Sequence, residues 1–386
     1  MEELDLQIKN GRIFDPAAQR DEIGSIGVRS GKIVSVDPET TAKRTIDAAG
    51  CYVFPGFIDW HTHLFSRGSG FGINPDFFFP SGVTTAVDMG SAGHANMSAL
   101  LEELSSREMN TVVYMNVSPV GQPGYGVNEP LDDAVLLHPH AGEILDCYAK
   151  RIAGLKLRIS KPIVGELGLQ PLYTACNMAR KYGLPLCVHT TNPPVSQSKV
   201  LEQLEKGDVF SHVFHQSGYT ILDERGMVLS QAWEAKQRGV LFDVGHGRVN
   251  FSFAVAERAL KQGFVPDIIS TDATPATYLK KSTYKDMAYL ISKFLCMGMT
   301  LEDVIRCVTS NPAANLRQER EVGTLAIGAR ANICICKIKK EAITFFDSFG
   351  ETRTGHMLLE PLMTISQGNV VYCKGAFSDT HLTLPT

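Results

Sequence analysis

Pro55-Gly56-Phe57-Ile58-Asp59-Trp60-His61-Thr62-His63 carries an apolar strand into a pair of histidines. Successive strand residues point to opposite faces, so Asp59, His61 and His63 are expected to share one side. Two imidazoles at the C-terminal end of a strand can converge on one cation, and imidazole suits zinc. A His-x-His pair alone is weak evidence. It gains weight from its place, because residues 53–59 read as the first strand of a longer series.

Seven more apolar strands follow, at 84–88, 112–117, 153–158, 185–189, 209–213, 240–244 and 267–271. Helical stretches separate most of them, at 97–108, 171–182, 228–238 and 253–262, and another at 284–296 follows the last. Pro171 suits a first helical turn and Gly183 the position just past a helix end. Strands alternating with helices mark a parallel sheet. Eight such units over 53–319 fit the ~250 residues of a (β/α)8 TIM barrel, an α/β fold whose active sites lie at the C-terminal ends of the strands.

The two ends have another texture. Residues 1–52 and 320–386 read as short strands between Gly, Asp and Pro turns, for example at 6–8, 12–14, 23–28, 32–36, 333–338, 342–346 and 370–372. They are expected to join as one small composite β-sandwich beside the barrel. Residues 379–386 carry no readable signal and are expected to fray.

Composition narrows the function classes. With 386 residues, 44% hydrophobic and 20% charged, the chain has the profile of a globular protein with room for a barrel and a satellite module. A net charge of −4 with scattered Lys and Arg gives no case for nucleic acid. No segment reaches the roughly 18 apolar residues of a membrane span. The acidic start, Met1-Glu2-Glu3-Leu4-Asp5, lacks the apolar run of a secretory signal. Nine widely spaced cysteines fit a reducing cytoplasm better than a disulfide framework. Cys334 and Cys336 alternate along an apolar strand and read as small buried hydrophobes.

Further metal-ligand candidates fall at the same strand ends. His189 closes the fifth strand, His212 lies in the sixth at the end of Val209-Phe210-Ser211-His212, and Asp272 follows the eighth. Each alone is explained as a loop cap; together they put four histidines and an aspartate on one rim. In Gly154-Leu155-Lys156-Leu157-Arg158 the alternation turns Lys156 and Arg158 into the barrel. Burial disfavours a charged Lys. Either Lys156 pairs with a buried carboxylate, or its neutral amine takes up carbon dioxide to give an anionic carbamate.

This ordered set resembles the amidohydrolase superfamily. Members carry His-x-His after strand one, a carboxylated Lys after strand four, His after strands five and six, and Asp after strand eight. The resemblance places these roles on His61, His63, Lys156, His189, His212 and Asp272. It is strongest for a bacterial dihydroorotase-like or adenine-deaminase-like branch that includes acetyl-(R)-mandelate-type deacetylases. The stretches that carry it are 154–160, 207–214, 242–247 and 266–272.

The resemblance implies two divalent cations, with zinc expected, and a metal-bridging hydroxide that hydrolyses an amide or ester of a small anionic substrate. His61, His63 and Asp272 would hold one metal, His189 and His212 the other, and carboxylated Lys156 would bridge them. Asp272 would also accept the proton of the attacking water. A homo-oligomer is expected. Dihydroorotases carry His-x-His-x-Arg, and Phe65 stands at the Arg position here, which argues against that activity. A cyclic amide hydrolase, a heterocycle deaminase and a non-catalytic assembly protein remain the alternatives.

Substrate contacts are expected from Arg158, by a carboxylate clamp or else a rim salt bridge, and from His246 between Gly245 and Gly247. Tyr125, in the loop 121–126, is expected to reach the substrate. His215 is a minor rival ligand. His94, His138, His140 and His356 receive no role beyond surface or capping positions.

Overall fold

The first predicted strand is two strands. In the computed structural model, which describes residues 3–36, 40–280, 284, 286–375 and the backbone of 382–383, Tyr52–Pro55 and Phe57–Thr62 belong to different sheets. Tyr52–Pro55 pairs antiparallel with Ile333–Lys339, and Phe57–Thr62 pairs parallel with Val83–Gly93. Gly56 makes the crossing: a Cβ there would lie 2.3 Å from Thr84 Oγ1, so only glycine lets the strands pack this closely. The apolar run is continuous, so nothing in its composition marks the break.

The barrel strands run in chain order: Phe57–Thr62, Val83–Gly93, Asn110–Asn116, Ile152–Arg158, Leu186–His189, Val209–Ser211 and Leu241–Asp243. All neighbouring pairs are parallel. The predicted eighth strand forms no extended ladder, yet it closes the barrel by single bridges on each side. Asp243 pairs with Ile268, and Thr62 with Ala273. Side chains replace the missing ladder bonds. The Asp59 carboxylate accepts the Thr271 backbone N–H at 3.0 Å and the Thr271 hydroxyl at 2.5 Å, tying strand one to the closing segment. Burial raises the Asp59 pKa to about 7.

The predicted helices form as Met97–Ser105, Gln170–Tyr182, Ser230–Arg238, Phe253–Lys261 and Met287–Cys296. Gly183 ends the second of these with φ of +63°. Further helices lack a sequence forecast, among them Leu301–Val308 and Ser310–Asn315. Asn315 Oδ1 accepts from both Trp60 Nε1 (3.0 Å) and Tyr114 OH (2.9 Å), fastening Ser310–Asn315 to the barrel strands.

The β-rich ends combine as one nine-stranded sheet. Its main path runs Asn369–Cys373, Leu358–Ser366, Ile333–Lys339, Tyr52–Pro55, Leu6–Asp15, Arg20–Arg29 and Lys32–Val34. Ile8, Val53, Ile335 and Met363 lie in its own apolar core. The predicted strand at 342–346 stands apart: Ile343–Phe346 and Thr352–Gly355 form a separate hairpin. Cys334 and Cys336 are buried in the sheet. Of the segment expected to fray, 379–381 and 384–386 lie outside the described residues. No described helix is long and apolar enough to cross a membrane.

Candidate active site

The ends of four barrel strands, loops after two others and the closing segment meet around a cavity of about 510 Å³. His61, His63, Lys156, Arg158, His189, His212 and Asp272 all line it. One ligand atom each from His61, His212 and Asp272 falls within 4.8 Å of the others. The Asp272 Oδ1 atom is 3.2 Å from His63 Nε2 and 3.7 Å from His61 Nε2. The His189 ring lies 4.3 Å from that of His212, centroid to centroid. The pairing register with strand two shifts between Asp59 and Thr62, yet the two imidazoles still converge.

Backbone strain helps to aim two of these groups. His212 and Asp272 adopt left-handed φ angles of +67° and +51° at their strand ends. Non-glycine residues reach that region at a cost, though Asp and His tolerate it better than most.

Hydrogen bonds orient the rings. His61 donates Nδ1–H to Asp243 Oδ2 at 2.9 Å, and His212 donates Nδ1–H to the Gly245 carbonyl at 2.7 Å. Both rings therefore present the Nε2 lone pair to the cavity, the arrangement found in metal-bound histidines. His63 Nδ1 contacts Ser91 Oγ at 3.0 Å. Burial drives the His212 pKa down to about 3, and burial with the neighbouring His212, Arg158 and Lys156 puts that of His189 well below its usual range. Both imidazoles are held neutral rather than cationic. Burial alone would raise the Asp272 pKa, but the hydrogen bond with His63 and the close imidazoles of His61 and His212 hold it below the usual carboxylate range. Asn250 donates to its Oδ2 at 3.0 Å.

Lys156 is buried, and its Nζ reaches Cys187 Sγ at 3.5 Å. No ion pair joins it to a carboxylate among the described residues, so the buried Lys–Asp pair weighed from sequence is not what the structure holds. Gly90, with φ of +75°, makes room for it: a Cβ there would lie 2.6 Å from Lys156 Cβ. Arg158 faces the cavity and is ion-paired to Glu129.

His246 does not join the group. Its Nε2 sits 2.7 Å from Lys293 Nζ, its Nδ1 contacts the Gly247 carbonyl at 3.0 Å, and its ring stacks on Phe251 at 4.6 Å. The flanking glycines allow close approach, but the helix Met287–Cys296 claims the imidazole. Tyr125 is 91% exposed and lies outside the cavity lining. Gln122 of the same loop lines the cavity instead, braced by donation to the Met89 carbonyl at 3.0 Å. His215 turns to Gln197 and the Ser217 N–H, away from the metal ligands.

Asp243, Ser91, Asn250 and Glu129 were not anticipated. Only Asp243 left a trace, as a carboxylate ending an apolar strand like the ligands themselves. It also accepts hydrogen bonds from Ser211 at 2.6 Å and from Ser270. Because it sets the His61 ring, Asp243→Asn is expected to weaken zinc binding about 10–100-fold. A zinc competition titration reads this, and unchanged affinity would remove Asp243 from the site.

Comparison with known proteins agrees with this geometry. The sequence profile of the amidohydrolase family matches residues 52–371. A deacetylase of Agrobacterium fabrum is 33% identical over 340 residues, covering 86% of this chain and 82% of the relative. A deacetylase of Enterococcus faecalis is 32% identical over 376 residues, covering 95% and 99%. A crystal structure of an adenine deaminase superposes with a TM-score of 0.88 at 31% identity, covering 96% of this chain and 100% of that one. With its donor cluster at the mouth of a parallel barrel, this chain belongs to the amidohydrolase family and is a metallohydrolase.

Proposed function

We propose that the chain is a zinc-dependent deacetylase that cleaves the acyl amide or ester of a small acetylated acid. The observation that carries this reading is the His61–His212–Asp272 donor group with buried Lys156 in one cavity, whose lining also holds Arg158 and Arg248. The two similar deacetylases support the acyl chemistry over most of the chain. The two guanidinium groups favour an anionic substrate.

The donor set suits zinc, since neutral imidazoles and carboxylates are its usual ligands beside thiolate. His61, His63 and Asp272 would hold one cation and His189 and His212 a second, with Lys156 carboxylated by carbon dioxide between them. When bound, such a pair polarises the acyl carbonyl and makes water acidic enough to attack at neutral pH. Asp272 takes the proton of the attacking water and returns it to the leaving nitrogen or oxygen. Asn250 fixes the carboxylate while it does so. Arg158, steadied by Glu129, pairs with the substrate carboxylate. Nine cysteines without the spacing of a disulfide framework fit a cytoplasmic setting.

A second reading, deamination of a heterocycle, draws on the adenine deaminase likeness. The test is a hydrolysis screen with zinc-loaded protein. O-acetyl hydroxy acids and N-acetyl amino acids compete there against hydantoins, dihydropyrimidines and adenine. Acetate release from the acyclic acids is expected. Turnover of cyclic amides or adenine alone would overturn the deacetylase reading.

A further inference from the structure

Three histidines outside the catalytic cavity lie close together. His94 directly follows the second barrel strand, Val83–Gly93, while His138 and His140 open the helix Pro139–Cys147. The His94 ring lies 5.9 Å from that of His138 and 5.5 Å from that of His140, centroid to centroid. Zinc–nitrogen bonds of about 2.0–2.1 Å put the ring centroids of two imidazoles on one cation roughly 5–6 Å apart. The spacing fits.

His94 itself calls for an explanation. It is only 7% exposed, and neither ring nitrogen has a hydrogen-bond partner among the described residues. Buried polar groups in folded proteins are nearly always paired. Burial, reinforced by the neighbouring His140 and His138, lowers its pKa, which keeps the ring neutral and its lone pair free.

We propose that His94, His138 and His140 form a second, non-catalytic site for a zinc-class divalent cation. His140 already turns Nδ1 to the Glu143 carboxylate at 2.9 Å. That contact leaves Nε2 for a metal, as in carboxylate–histidine–zinc arrangements. His138 accepts the His140 backbone N–H on Nδ1 at 3.2 Å, which places its own proton on Nε2. Ligation through Nε2 moves that proton to Nδ1 and gives up the long capping contact. The nitrogens do not converge as tightly as the donors of His61, His212 and Asp272. His138 is exposed and His140 half-buried, so both rings can turn toward the fixed His94. A cation held there ties the segment after the second strand to the start of the helix Pro139–Cys147, which makes its task structural.

The test compares three full-length proteins: wild type, His94→Ala, and the double variant His138→Ala/His140→Ala. Each is equilibrated with zinc and freed of excess, its metal is counted by elemental mass spectrometry, and its thermal midpoint is measured with and without zinc. Each variant is expected to hold one zinc fewer than wild type and to gain less from zinc in its midpoint. Equal zinc content in all three would overturn the proposal. If His94→Ala fails to fold, the double variant decides, because its two positions lie at the start of a surface helix.

Discussion

Asp272→Asn is expected to lower kcat by roughly 100- to 10,000-fold, the range by which a positioned general base accelerates proton transfer. The substitution keeps the side chain's shape but removes its charge. That charge serves both proton transfer and the hold on a cation, so bound metal is counted beside turnover. Asn has the shape of Asp and tolerates the left-handed φ of +51° that this position requires. Asn250 can still donate to the amide oxygen where it now donates to Oδ2. What disappears is the negative charge, which His63, His61 and His212 keep in place against the opposing effect of burial. The thermal midpoint is therefore expected to stay close to that of wild type while turnover collapses. Steady-state kinetics on an acetylated acid, paired with a melting curve, measures both. Activity within tenfold of wild type would mean that some other group takes the proton.

The site was legible where each ligand ends its own apolar strand. His61, His189, His212 and Asp272 are scattered through the chain, but each ends an apolar run with the composition of a strand, and parallel strands deliver their C-terminal ends to one rim. Lys156 was legible for a related reason: a cation at an inward position of an apolar strand needs a cause. The break at Gly56 was hidden, because one apolar run serves two sheets and only the packing against Thr84 reveals the crossing. The closing segment read as a full strand because its composition is that of one, although Asp59 does part of the work of a ladder. His246 misled for want of long-range information. Its glycine neighbours suggest a substrate contact, and Lys293 and Phe251, which bury it, lie on other segments. The His94, His138 and His140 cluster has no periodicity at all, since a strand end and a helix start meet only in space.

Lys156→Ala tests whether the buried lysine serves as a ligand. Left as an ammonium, Lys156 is a charge in the barrel with a thiol 3.5 Å away and, among the described residues, no carboxylate paired to it. An uncompensated buried charge is costly, and a group in that position tends to lose it. Addition of the neutral amine to carbon dioxide forms an N–C bond and releases one proton, leaving an anion among the neutral imidazoles of His189 and His212. Removing it should cost metal affinity at least the roughly 10–100-fold that outer-shell changes cost, with turnover falling in parallel. The shortened side chain also leaves space beside Gly90 that a small carboxylate such as formate can enter, so added formate is expected to restore part of the activity. Metal-free Lys156→Met points the same way: with a flexible apolar chain in place of an unpaired cation, it should melt higher than metal-free wild type. Elemental analysis, kinetics with and without formate, and melting of the metal-free proteins give three separate readings. Full metal content and undiminished turnover in Lys156→Ala would show that the lysine is no ligand, and the reason for burying it would then have to lie in the apolar packing around Cys187.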